Sequence, residues 1–208
     1  MGQVVRKYYL KTPLRDCDVK KLAVGDAVYV SGTICTLRDR GARRLVEAVN
    51  RGEALPVDLK GSLVYHAGPL VRRCGEWWEV VSAGPTTSTR MEAHDPKLIA
   101  MGVKAIVGKG RLLEGTRRAC REFGAVYMLY PGGCGALAAK SVKKVLAVYW
   151  LDLGMPEALW VLEVKDFGPL YVVIDCEGKD LLMNHYLRVR GRRNKLVSRL
   201  REGVGVHY

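Results

Sequence analysis

Residues 104–130 restrict the fold more than any other stretch. Lys104 to Val107 is a short strand-like run, and Ala125 to Tyr130 is a second. Between them, Leu112, Thr116, Ala119, Cys120 and Phe123 recur along one side of a helix spanning Leu112 to Phe123. Strand, helix, strand in this order predicts two parallel strands joined by a right-handed crossover, hence an α/β protein. Ligands in such units usually sit beyond the carboxyl ends of the strands. That rule points to the loops at Lys109 and Gly132.

The rest of the chain is consistent with a mixed α/β domain. Val28, Tyr29 and Val30 read as a strand, and Asp39 is expected to cap a helix whose apolar face is Ala42, Leu45, Val46 and Val49. Leu63 to His66 and Glu79 to Ser82 are short strand candidates, each followed by a Gly-Pro turn. Asp95-Pro96 is a helix start with Asp as the N-cap. Ser141 to Trp150, Leu159 to Val164 and Leu170 to Asp175 predict three more strands. With 208 residues there is room for one substantial core. The expected organisation is a single domain over residues 1–183 and a basic C-terminal extension over 184–208.

Composition excludes several classes. No apolar run approaches the roughly 20 residues of a membrane span, and Met1 to Leu10 lacks the apolar segment of a signal peptide. A cytoplasmic location is the expectation. The six cysteines (17, 35, 74, 120, 134 and 176) form no C-x-x-C pair, so no metal site of this chain's own is expected. Net charge is +13. Seven basic residues and no acidic ones lie between Arg188 and Arg201, which reads either as a solvated arm or as a surface for nucleic acid or an acidic protein. A single Gln and three Asn amid plentiful Lys and Arg fit a thermophile's protein.

Two familiar motifs fail. Gly108-Lys109-Gly110 lacks the spacing and the hydroxyl of a phosphate loop. Asp166-Phe167-Gly168 spells a kinase motif without its companion signatures. The loop Gly132-Gly133-Cys134-Gly135 reads either as a tight turn or as an anion loop whose backbone N–H groups, at Gly132 and Gly133, face a ligand at a helix start.

Three segments combine cations with hydroxyls as a small polyanionic substrate requires. They are Ser31 to Asp39 with Arg38, Gly84 to Met91 with Thr86 and Arg90, and Ile106 to Gly110 with Lys109. Arginine's planar fork suits carboxylates and lysine supplies a compact charge. Taken singly, each has an ordinary reading as a surface charge or a capping turn.

Together, in order, the segments Thr36 to Asp39, Tyr65 to Pro69, Gly84 to Met91, Gly108 to Gly110, Gly132-Gly133 and Val164 to Pro169 resemble the C-terminal domain of class I fumarases and the β subunits of related tartrate dehydratases. Gly-Pro-Thr-Thr-x-x-Arg-Met at Gly84 to Met91 is the most specific element. The resemblance implies a swivelling mixed β/β/α domain. It implies a [4Fe–4S] cluster carried by a partner α subunit, none bound by this chain, and an α2β2 assembly acting on a small dicarboxylate. It also implies that Arg38, Arg90 and Lys109 bind carboxylates, while Thr86 either removes the proton or orients substrate. Fumarate hydration is the first expectation and L-tartrate dehydration the second. A nucleic-acid-binding module is the alternative from another class, disfavoured because no RRM, KH or zinc-knuckle signature appears. Ser88-Thr89 stands where single-chain fumarases usually carry small residues, and Cys134 lies in the glycine loop.

Overall fold

A computed structural model describes residues 5–203, so the last five residues of the basic extension lie outside the described residues. Nine strands and six α-helices follow one another along the described residues. They are β1 Lys7–Lys11, α1 Asp16–Lys20, β2 Ala27–Thr36, α2 Asp39–Asn50, β3 Leu63–Tyr65, β4 Leu70–Cys74 and β5 Trp77–Ser82. Then come α3 Asp95–Ala100, β6 Ala105–Gly108, α4 Glu114–Phe123, β7 Val126–Leu129, α5 Gly135–Ser141, β8 Val142–Tyr149, β9 Leu159–Ile174 and α6 Leu181–Gly203.

The expected parallel pair is present: Ala105 to Gly108 of β6 lies beside Val126 to Leu129 of β7. Gly124, at φ 65°, ends the crossover helix α4 in the left-handed conformation that glycine adopts without strain. β3 joins β6 and β2 joins β3, also parallel, with β1 parallel to β2 at the edge. β9 then runs antiparallel to both β7 and β2. The strands β2, β3, β6, β7 and β9 therefore close into a ring, which β8 extends along β9.

Alternation along these strands separates two cores. Leu63, Tyr65, Val107, Val126, Met128 and Trp160 belong to one buried cluster, while Val64, Ile106, Tyr127 and Leu159 pack with Leu45 of α2, Leu98 of α3 and Ala119 of α4 in the other. The β4–β5 hairpin is a separate two-stranded sheet, and Trp78 reaches the first core edge-on to Trp160, 5.4 Å between ring centres.

Several expectations are corrected. Leu159 to Val164 and Leu170 to Asp175 are one strand, because the irregular Asp166 (φ 51°) is carried within the ladder: its N–H donates to Ser31 Oγ at 2.9 Å. Arg38, not Asp39, is the N-cap of α2. Asp95 is not a cap either. It is the first residue of α3, and its side chain turns into the interior. Phe123 is 41% exposed and stands outside the apolar face assigned to it. The basic extension is a continuation of α6, whose described side chains from His185 to Leu200 are exposed.

Candidate functional site

The predicted site residues gather where the parallel strands end. Arg38 follows β2, His66 and Gly68 follow β3, Lys109 follows β6 and Gly132 follows β7. All four loops lie at carboxyl ends, as the α/β rule requires. The fifth segment, Pro85 to Met91, comes from beyond the hairpin and is laced onto these ends. Ala67 and Pro85 form an isolated bridge, and so do Thr87 and Lys109. Thr86 N–H donates to His66 O at 2.7 Å, Lys109 N–H to Thr86 O at 3.2 Å, and Ser88 N–H to Lys109 O at 2.9 Å.

That lacing sets Thr86 beside Lys109 in the backbone. The side chains add Arg90, whose Nη2 donates to Thr86 Oγ1 at 2.8 Å and lies 3.1 Å from Asp39 Oδ2. Thr86 and Arg90 are four residues apart across the short 3-10 turn Ser88–Met91, which brings guanidinium back over hydroxyl. The arrangement leaves Arg90 49% and Asp39 38% exposed, so the cluster faces solvent. Lys109 is exposed too and forms no ion pair among the described residues.

Arg38 is placed differently. Its guanidinium lies 3.3 Å from Glu157 Oε1 and packs on Gly68, where an added Cβ would stand 2.9 Å from Nη1. Glu157 also accepts the Arg40 N–H at 2.8 Å, which supplies the α2 N-terminus with the acceptor that Arg38 as N-cap does not give. The structure thus joins Thr86, Arg90 and Lys109 directly and sets Arg38 next to them through its chain neighbour Asp39. Gly132 belongs with this group: a Cβ there would meet Lys109 Cδ at 3.6 Å. Gly133 turns at φ 83°, and Cys134 leads into α5, half-buried against the inner core.

Beneath the cluster lies a network that sequence reasoning missed. His66 Nδ1 is 3.0 Å from Ser88 Oγ, and Nε2 is 3.1 Å from Asp95 Oδ1. All three residues are fully buried. Burial pushes the Asp95 carboxyl above its ordinary range, with His66 opposing. Close by, Glu92 accepts from Leu113 N, Thr116 N and Thr116 Oγ1 and so caps α4 from outside. Asp39 and Glu157 were equally unforeseen as partners of the two arginines. Only Asp39 carried a signal, its place beside Arg38 in the motif.

Several hollows open on the described surface. One of about 580 Å³ opens beside Lys109 and Gly132 and is walled mainly by Leu129, Tyr171, Val173 and Leu182, a lining too apolar for a dicarboxylate. A larger one of about 650 Å³ lies between β5, α5 and β8 at Trp77, Trp78 and Lys143. Neither is lined by Arg38, Thr86 or Arg90. Among the described residues no three His, Cys, Asp or Glu side chains converge as metal ligands, and no helix is long and apolar enough to cross a membrane. Burial holds the Cys35 thiol up at about 11 and pushes Cys120 higher, away from the thiolate a cluster needs.

Comparison with known proteins shows the family. Residues 2–185 match the family described as Fumarase C-terminus. The L(+)-tartrate dehydratase subunit beta of Escherichia coli (strain K12) is 43% identical over 203 residues, 97% of this chain and 98% of that protein. A putative L(+)-tartrate dehydratase subunit beta of Methanocaldococcus jannaschii is 44% identical over 192 residues, 91% of this chain and 98% of that one. A putative fumarate hydratase class I of Geobacillus stearothermophilus is 37% identical over 174 residues, 83% of this chain and 33% of that longer protein.

Proposed function

Because this chain belongs to the Fumarase C-terminus family, we propose that it is the β subunit of a two-subunit hydro-lyase acting on a four-carbon dicarboxylate. The observation that carries the reading is the contact of Arg90 with the Thr86 hydroxyl at 2.8 Å, with Lys109 laced to the same threonine. Arg38 and Arg90 offer planar forks and Lys109 a compact charge to two carboxylates. A threonine hydroxyl is a weak base, and it serves as one only where cations stabilise its alkoxide. Arg90 does so by direct hydrogen bond, with Lys109 adding to the field. In the dehydrating direction the C–H bond next to a carboxylate breaks and its proton passes to the Thr86 Oγ1 alkoxide, while the electron pair left behind forms the C=C bond and the hydroxyl on the adjacent carbon departs, leaving as water once protonated.

The [4Fe–4S] cluster expected of the family belongs, in this reading, to the partner α subunit. This chain's share is binding, orientation and the proton. The solvent-facing cluster of Arg90 and Asp39 supports a site that a partner completes. As to substrate, the sequence put fumarate first. The relatives that match the chain from end to end carry the tartrate name, so L-tartrate is taken first. Interconversion of malate and fumarate is the second reading, favoured by the fumarate hydratase relative.

The test is anaerobic assay of this chain, alone and with its cluster-bearing partner, on L-tartrate, malate and fumarate. Activity in the pair alone, fastest on L-tartrate, is expected; preference for malate and fumarate would select the second reading. Thr86→Ala is expected to abolish turnover while the complex still forms, and near-normal turnover would sink the base assignment. No complex and no activity would remove the reading altogether. Salt-dependent RNA binding that survives loss of Arg38 and Arg90 would then put a nucleic-acid module in its place.

A further inference from the structure

The hydrogen-bond order Asp95, His66, Ser88 is that of a nucleophilic triad, yet its surroundings deny it that use. All three residues have 0% exposure, so no substrate carbonyl reaches Ser88 Oγ. What the network does touch is the frame of the site. His66 sits at the end of β3 and grips the Thr86–Ser88 segment twice. Its backbone oxygen accepts the Thr86 N–H at 2.7 Å, and its ring meets Ser88 Oγ at 3.0 Å. Ser88 in turn opens the 3-10 turn that delivers Arg90 and donates its N–H to Lys109 O.

Space enforces the same geometry. Gly108 lies directly against Ser88 Oγ, and a Cβ there would also come 3.2 Å from His66 Nδ1. On the far side, Asp95 Oδ1 fixes the ring through Nε2, while Asp95 Oδ2 is buried without a hydrogen-bond partner among the described residues. A buried carboxyl oxygen left without a partner is unfavourable in a protein interior. That cost is offset if Asp95 Oδ1 holds the imidazole in one tautomer, with Nδ1 accepting from Ser88.

We propose that His66, oriented by Asp95, is a positioning residue of this site: through Ser88 and the Thr86 backbone it holds the Thr86 hydroxyl and the Arg90 guanidinium in register with Lys109. The proposal rests on the hydro-lyase reading and deepens it. Neither His66 nor Asp95 touches substrate. Their contribution is to the alignment of groups that do, where a displacement of about 1 Å costs roughly 100-fold in rate.

The test uses the anaerobic two-subunit enzyme, assayed well below its melting temperature, with complex formation and cluster absorbance recorded for each variant. Ser88→Ala removes only the hydroxyl and is expected to lower kcat by roughly 10- to 100-fold, with a smaller change in KM and an intact complex. Asp95→Leu is expected to fall likewise. Asp95→Asn, whose amide oxygen still accepts the Nε2 proton, is expected to recover most of that loss. A merely structural role would lower the melting temperature of both Asp95 variants and leave kcat unchanged at low temperature. The proposal is overturned if Ser88→Ala keeps kcat and KM within twofold of the parent. It is equally overturned if Asp95→Asn folds and assembles but is as slow as Asp95→Leu, a comparison that stands even if Ser88→Ala fails to fold. A parent complex inactive on every diacid would overturn the hydro-lyase reading itself, and this inference with it.

Discussion

Gly68→Ala tests whether Arg38 is held by space. Gly68 does not need glycine for its backbone conformation, so the conflict is purely one of room. An added Cβ would stand 2.6 Å from Pro156 O, 2.8 Å from Arg38 Cδ and 2.9 Å from Arg38 Nη1. The arginine can swing aside, but the Pro156 carbonyl cannot without moving Glu157, which holds both the α2 N-terminus and the Arg38 guanidinium. Overpacking of this kind costs about 1–3 kcal/mol. In a chain of this length each kcal/mol lowers the melting temperature by roughly 2–4 °C, so a drop of about 2–12 °C is expected. If Arg38 binds a substrate carboxylate as proposed, displacing it also removes a charge-assisted bond worth about 1.5–3 kcal/mol, which is roughly 10- to 150-fold in kcat/KM. Thermal melting of the isolated chain and steady-state kinetics of the complex read the two effects separately. A Gly68→Ala protein with unchanged melting temperature and kcat/KM would refute the close packing of Arg38 on Gly68 and its part in binding.

Three further outcomes are expected. Glu92→Ala strips the acceptor from Leu113 N and Thr116 N and should cost about 1–3 kcal/mol; unaltered hydrogen exchange in the first turn of α4 would contradict it. Arg15 and Lys21 hold the Asp18 carboxyl down at about 2. The folded chain thus binds this proton less tightly than the unfolded chain, and the contribution is full above about pH 4 and lost as pH falls through about 2. Asp18→Asn should therefore be less stable than the parent at pH 5 and converge with it near pH 2, and parallel stability curves over that range would exclude the linkage. An alkylating reagent at pH 8 should label exposed Cys17 at once, and Cys35 and Cys120 only on unfolding; rapid labelling of Cys35 in the folded chain would contradict its burial.

The β6–α4–β7 unit was legible because each part announces itself locally, through an apolar run, a helical stripe and the stop at Gly124. β1, with the sequence KYYLK, and the seven-residue α5 passed unseen, since a short charged edge strand and a single short helix carry no clear period. β9 was split at Asp166 because a turn-like sequence ends most strands, and what carries this one through is Ser31, far away in β2. The site follows the same division. Arg38, Thr86, Arg90 and Lys109 were singled out by the resemblance of their motifs, taken in order, to the family, and the structure assembles them at one end of the sheet. Asp39 as partner of Arg90, Glu157 as partner of Arg38, and the His66–Asp95 pair depend on contacts between distant segments, which no local pattern encodes.

The seam between β2 and β9 bears on how the chain reaches this state. Thr36 and Trp160, which meet across it, are 124 residues apart, and pairings of such separation make folding slow. At a synthesis rate of about 5–20 residues per second, β2 waits roughly 6–25 s for its partner strand. During that interval one edge of β2 is open, a surface prone to pairing with other chains. The loops bearing Thr86 and Lys109 are both made within the wait. The order of synthesis thus places ring closure after the last of the four site residues has emerged.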